Sequence, residues 1–317
     1  MLVTKGLFEQ HFHGCFGIDF NKASVDEVVF LSKKMFERGI TTIIPTIGTD
    51  TLENMQRQIQ IISEAKNFLT DNCAVIYGIH LEGPFLNQGK RGAHPENLLK
   101  KPNIADYQKY LEHPLIKIVT IAPELDEDFK LCNYLKQAGI KVSAGHCFCE
   151  DLSCVNQVTH LFNAMDGLHH RNKTTSLSAL SDDIIYTEII ADGEHVQDDM
   201  LKLVFKAKGK DKILLISDCA PSAKSDIEEF EFLGEMIYKN GDKLVGKNGT
   251  IAGSAMLLDD IVRRLVQNNI LSFEDAIKMS SLNQREYHKF DDNFIVEWKD
   301  DLTVNKVLKA STSTHNR

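Results

Sequence analysis

Eight short apolar runs alternate with longer amphipathic runs along this chain, and that alternation limits the fold more than any single motif. The runs at 7–11, 41–46, 74–81, 116–121, 141–144, 158–161, 186–191 and 213–217 read as strands. They are apolar on both faces, as strands buried on both sides of a parallel sheet must be. Between them, helical spacing puts Val25, Val28, Val29 and Phe36 on one face behind a Ser24 N-cap. Further helices are expected at 51–68, 127–138, 198–208, 255–266 and 273–282. Eight strands alternating with helices is the count of a parallel (β/α)8 barrel, a TIM barrel. A doubly wound open sheet is the alternative, but neither G-x-G-x-x-G nor G-x-x-x-x-G-K-[ST] occurs. The barrel is expected over 1–290, with a β-hairpin inserted at about 230–249, where Asn240-Gly241 signals a turn. Residues 291–310 read as a small β element outside it, and the polar tail 311–317 is expected to be frayed and disordered.

Composition narrows the partners. Lys and Arg number 36 against 45 Asp and Glu, a net charge of −9. That balance argues against nucleic acid or an anionic membrane as a partner, and an anionic ligand would need local cations or backbone N–H groups. No apolar run approaches the roughly 18 residues of a membrane helix, and no secretion signal opens the chain. The seven cysteines form no paired framework. A reduced, cytoplasmic setting is expected, with Cys15, Cys147, Cys149 and Cys219 as packing thiols rather than zinc ligands.

In such a barrel the chemistry gathers at the C-terminal ends of the strands. Here strand one ends in His11-Phe12-His13, and residues two apart on a strand face the same side. Strand three ends in His80-Leu81-Glu82, strand five in Gly145-His146, and strand six contains His160. Strand seven runs out in Asp192-Gly193-Glu194-His195, and strand eight in Ser217-Asp218. Each alone has a plainer reading: a polar strand end, a satisfied core histidine, or for Asp218 a helix N-cap. Their recurrence at one end of six of the eight strands is what independent structural residues would not give. Imidazole with carboxylate suits Zn²⁺ or a similar divalent metal.

Taken with their neighbours, these residues resemble the amidohydrolase superfamily and, within it, the N-acetylglucosamine-6-phosphate deacetylase family. The motifs are HFHG (11–14), HLEGPFLN (80–87), KRGAH (90–94), SAGH (143–146), THLFNAM (159–165), ADGEHV (191–196), SDCAP (217–221) and GTIAGSAM (249–256). They stand in family order across nearly the whole barrel. The resemblance implies that Glu82, His146 and His160 hold the principal metal, most simply zinc, and that His11 and His13 serve a second ion. It makes Asp218 the catalytic acid/base and gives His94, with Ala93, the sugar and its acetyl carbonyl. Asn163, Ala164, Ile251, Ala252 and Gly253 would line the sugar site. Arg171 and His195 would meet the phosphate, Arg171 across the interface of a homodimer. Without the motif, Arg171 reads as a solvated cation in the basic loop 169–173.

The implied reaction is hydrolysis of the acetamide of N-acetylglucosamine 6-phosphate. The C4 epimer, N-acetylgalactosamine 6-phosphate, is the close rival. Another amidohydrolase reaction, or a non-catalytic sugar-phosphate-binding protein on the same scaffold, are further alternatives. The family places several dozen residues before its H-x-H, whereas here that motif begins at residue 11. The terminal β-sandwich is therefore expected to be reduced, with only its C-terminal part recognisable.

Overall fold

The structure, a computed structural model, describes residues 2–310 apart from residue 242, so the expected disorder at 311–317 lies outside the described residues. Its centre is eight parallel strands: β1 (Leu7–Phe12), β2 (Ile40–Gly48), β3 (Ile79–Glu82), β4 (Ile116–Ile121), β5 (Lys141–Ala144), β6 (Gln157–Val158), β7 (Tyr186–Ile190) and β8 (Ile213–Ile216). They pair in sequence order from β1 to β8. Helices pack around them, which makes this a (β/α)8 barrel. Every residue of β1, β2 and β7 is buried, in keeping with strands that read as continuous apolar runs. The first helix, Val25–Glu37, begins in a capping box: Ser24 Oγ accepts from the Glu27 N–H, and Glu27 Oε2 accepts from the Ser24 N–H at 2.8 Å. The cap contributes about 1 kcal/mol, while Val28, Leu31 and Met35 on the inner face fix the helix to the core.

Among the described residues no ladder closes β8 onto β1. The seam is bridged just beyond the strand ends, where Asp218 N–H donates to His11 O and His13 N–H to Cys219 O, both at 2.9 Å. Deeper in the seam, the buried Glu9 carboxylate accepts from the backbone N–H groups of His11 (3.1 Å) and Ser217 (3.0 Å). Burial pushes the Glu9 carboxyl up to about 8, against the opposing pull of its hydrogen bonds to Ser217. The side chain does what a ladder would do, and it sets the His11–His13 strand against the residue before Asp218.

The insertion is larger than a hairpin. Glu229–Phe232, Glu235–Asn240, Lys243–Gly246 and Ile251–Ser254 form a four-stranded antiparallel sheet. Its own core contains Phe232, Leu233, Ile237, Leu244 and Ala252. At the other end of the barrel, Phe294–Trp298 pairs with Val304–Lys309 and, unforeseen from sequence, with Leu2–Lys5. That third strand corrects the expectation of a purely C-terminal element. Trp298 is buried there, and its indole N–H donates to Thr4 Oγ1 at 2.8 Å. Among the described residues no helix is long and apolar enough to cross a membrane.

Candidate metal-dependent active site

The C-terminal strand ends converge on one buried carboxylate. Glu82 closes β3, and five imidazoles surround it. Its Oε1 lies 3.0 Å from His160 Nε2, 3.2 Å from His146 Nε2 and 3.5 Å from His11 Nε2. Its Oε2 lies 3.0 Å from His13 Nε2 and 3.3 Å from His94 Nε2. Asp218 Oδ1 completes the group, 3.3 Å from His11 Nε2 and 3.4 Å from His13 Nε2. His146, His160 and Asp218 have φ of +50°, +29° and +48°. Three non-glycine residues in the left-handed region, just past the ends of β5, β6 and β8, mark backbone held in place for its side chains.

The donor set fits a divalent cation. The ligand atoms of His11, His13 and Glu82 lie within 4.8 Å of one another, as do those of Glu82, His94 and His146. The Nε2 atoms of His146 and His160 stand 3.1 Å apart, so both rings aim at one point. Buried His11 Nε2, His13 Nδ1 and His160 Nδ1 meet no hydrogen-bond partner among the described residues. Partners on the far side of three rings decide which nitrogen faces inward. His146 Nδ1 donates to Lys90 O at 2.8 Å, leaving Nε2 free for a cation. His11 Nδ1 meets Glu188 Oε2 at 3.0 Å. At His94 the Thr49 N–H points at Nδ1 from 3.4 Å, which leaves Nε2 as the donor. That suits a ring that polarises a carbonyl better than one that ligates.

Charge is arranged accordingly. Burial opposes ionisation of Glu82, but the facing imidazoles of His11, His13 and His146 hold its carboxyl well below the usual range. Burial likewise opposes ionisation of Asp218, yet His11 and His13 pull it down to about 2. Burial pushes His94 down to about 4, outweighing its hydrogen bond to Glu82. His195, held by Asp192 Oδ2 at 2.7 Å, is raised despite its burial.

Above the carboxylates opens a cavity of about 410 Å³, within the range of small-ligand sites. Ala93, His94, Asn163, Ala164, His195, Ile251, Ala252 and Gly253, all singled out from sequence, line it with His13, Glu82, His146, His160 and Asp218. Arg171 does not line it; it lies exposed on the loop at 166–173. Sequence reading missed three contributors from the insertion, Phe232, Leu233 and Thr250. It also missed Thr49, which touches His94 from behind, and Glu188 and Glu9, which touch His11. Alternation along β1 was the available signal for Glu9, which shares a face with His11. His80, at a strand end like the others, is a core histidine, set between Thr46 Oγ1 (3.3 Å) and Thr120 Oγ1 (2.7 Å).

No family model matches the chain. It is 32% identical over 293 residues to N-acetylglucosamine-6-phosphate deacetylase of Bacillus subtilis, spanning 89% of this chain and 74% of that protein. The chain belongs to the N-acetylglucosamine-6-phosphate deacetylase family. The mouse member is 31% identical, with 89% of this chain and 73% of that protein covered. An N-acetylgalactosamine-6-phosphate deacetylase of a Shewanella strain is 29% identical, over 90% of this chain and 74% of its own length. The solved deacetylase structure from Thermotoga maritima superposes with a TM-score of 0.87 at 26% identity, over 97% of this chain and 87% of that one. The Pasteurella multocida deacetylase superposes equally well, with a TM-score of 0.87 at 25% identity, 97% of this chain and 85% of that one covered. Deacetylases of this family and this chain thus share the barrel fold.

Proposed function

We infer that this protein hydrolyses the acetamide of an N-acetylhexosamine 6-phosphate to acetate and the free amino sugar phosphate, with N-acetylglucosamine 6-phosphate as its substrate. The carrying observation is Glu82 ringed by imidazoles, with Asp218 beside it at the floor of a ligand-sized cavity, in a chain of this family. Glu82, His146 and His160 would hold the principal divalent metal, zinc being the simplest fit to nitrogen and carboxylate donors, and His11 with His13 would hold a second ion. Such a metal lowers the pKa of water and stabilises negative charge on a carbonyl oxygen.

The chain's own residues do the rest. Asp218 Oδ1, held ionised by its histidine neighbours, takes the proton of the attacking water and returns it to the departing amine nitrogen. His94 donates from Nε2 to the acetyl oxygen, with Nδ1 fixed by Thr49. The Nδ2 of Asn163 is tied to the His160 and Leu161 carbonyls at 3.2 and 3.3 Å, which sets the Asn163–Ala164 backbone against the sugar. Ala93 and Ile251–Gly253 form the opposite wall. His195, whose charged form Asp192 favours, faces the phosphate, and Arg171 supplies a planar guanidinium to the phosphate in a second subunit of a homodimer. Its position outside its own chain's cavity supports that reading. A cytoplasmic setting suits a sugar-phosphate substrate.

The Shewanella relative favours one second reading, the C4 epimer. Acetate release from both sugar phosphates tests the choice. A higher kcat/KM on N-acetylglucosamine 6-phosphate is expected, and preference for the galacto epimer reverses the assignment. Binding of both without turnover would instead mean a sugar-phosphate-binding protein.

A further inference from the structure

One buried polar network lies beneath the site and takes no part in the chemistry above. Glu188, on β7, points into the barrel and is fully buried, as are Gln10 and Gln157. Its Oε1 accepts from Gln10 Nε2 at 2.6 Å and from Gln157 Nε2 at 2.9 Å. Gln10 is itself oriented from below, because its Oε1 accepts from His288 Nε2 at 3.0 Å. Among the described residues, Glu188 Oε2 meets one hydrogen-bonding group, His11 Nδ1, at 3.0 Å. The opposite nitrogen of that ring, Nε2, is buried and, among the described residues, makes no contact of hydrogen-bond geometry, although Asp218 and Glu82 lie 3.3 and 3.5 Å away. A carboxylate accepts and does not donate, so Nδ1 carries a proton, and Nε2 is the nitrogen that can offer its lone pair to a cation.

We propose that Glu188, clamped by Gln10 and Gln157, is a positioning residue that locks His11 as the Nδ1–H tautomer and thereby builds the second cation position of the site. The proposal rests on the divalent-metal reading above. It explains why a carboxylate sits deep in the barrel: a ring held from behind keeps its orientation and gains basicity as a ligand. It also assigns the network a direction, from His288 through Gln10 and Glu188 to His11.

Glu188→Gln preserves shape and reverses this logic. Gln10 and Gln157 both donate to the same point, so the new amide must turn its oxygen to them and its NH2 to His11. Nδ1 then has to accept, the ring proton moves to Nε2, and His11 can no longer ligate. The test is Co²⁺ titration of metal-free wild type and E188Q, followed by visible absorption and checked by elemental analysis. Wild type should take up an ion at the His11–His13 position, and E188Q should bind that equivalent about 10–100-fold more weakly. The equivalent held by Glu82, His146 and His160 should be unchanged in E188Q. Urea unfolding of the metal-free proteins should show E188Q folded, which separates positioning from simple stability. Equal uptake by both proteins overturns the role of Glu188 alone. A wild type that takes up no divalent ion overturns the metal reading and this inference with it. If E188Q does not unfold cooperatively, wild type decides: loaded with Cd²⁺ and ¹⁵N-labelled at histidine, it should show the His11 ring proton on Nδ1, and a proton on Nε2 overturns the proposal.

Discussion

Replacing Gly253 with alanine should damage stability and catalysis through one contact. Gly253 sits in the strand Ile251–Ser254 with φ of +73°, where an added Cβ would lie 2.9 Å from Ala220 Cβ and 3.1 Å from Asp218 O. That strand is bonded to the catalytic segment: Ser254 N–H donates to Asp218 O at 2.9 Å, and Ala220 N–H donates to Ser254 O at 3.0 Å. The left-handed conformation costs a non-glycine residue about 1–2 kcal/mol. Forcing a methyl against packed backbone adds about 1–3 kcal/mol. The loss should therefore be about 2–5 kcal/mol, a large share of the roughly 5–15 kcal/mol that holds a typical domain folded. If the strand yields instead, the Asp218 backbone moves with it, and displacement of a catalytic group by about 1 Å costs on the order of 10²-fold in rate. Urea unfolding and steady-state acetate release on the same preparation read both routes. A G253A protein with wild-type midpoint and wild-type kcat would refute the account of how the insertion holds Asp218.

Other perturbations separate the remaining roles. Asp218→Asn should retain metal and substrate binding while turnover falls by about 10²–10⁴-fold, and undiminished turnover would remove Asp218 as the acid/base. Arg171→Ala should raise KM for phosphorylated substrates much more than for unphosphorylated N-acetylhexosamines, and equal losses on both would take Arg171 out of the phosphate site. His288 reports on the buried network: burial, reinforced by Lys141 and Lys117, pushes it down to about 3. Unfolded, its imidazole takes a proton near 6.5, so its contribution is fully present above that pH and is lost as pH falls toward 3, at up to about 1.4 kcal/mol per pH unit. The stability of His288→Asn should therefore vary less with pH than wild type over pH 6.5 to 4, and parallel curves would contradict the assignment.

The barrel was legible because its strands are apolar on both faces, a pattern that few other architectures use. Boundaries were less so. The sixth strand was expected over 158–161, but only Gln157–Val158 pairs, because His160 leaves the strand with φ of +29° to face Glu82. Leu2–Lys5 carries no signal of its own; it becomes a strand only by pairing with Phe294–Trp298, nearly the whole chain away. The insertion showed one turn, at Asn240-Gly241, while its outer strands, Glu229–Phe232 and Ile251–Ser254, are defined by tertiary pairing. Site residues at strand ends stood out because polar groups there break an apolar run. Glu188 and Glu9 sit inside such runs, and a lone carboxylate in a strand gives no hint of which nitrogen or N–H group it will meet. Their roles emerge only once the barrel brings the end of β8 to Glu9 and Glu188 of β7 to His11.

The central claim is that the histidine–carboxylate cluster is a metal site that hydrolyses an acetylated sugar phosphate. Elemental analysis of the purified protein, paired with acetate release from N-acetylglucosamine 6-phosphate before chelation, after chelation and after Zn²⁺ is returned, tests it most directly. The account predicts bound divalent metal, turnover that disappears on chelation, and recovery with Zn²⁺. Full turnover by metal-free protein, or metal-replete protein that releases no acetate from either hexosamine phosphate, would contradict it.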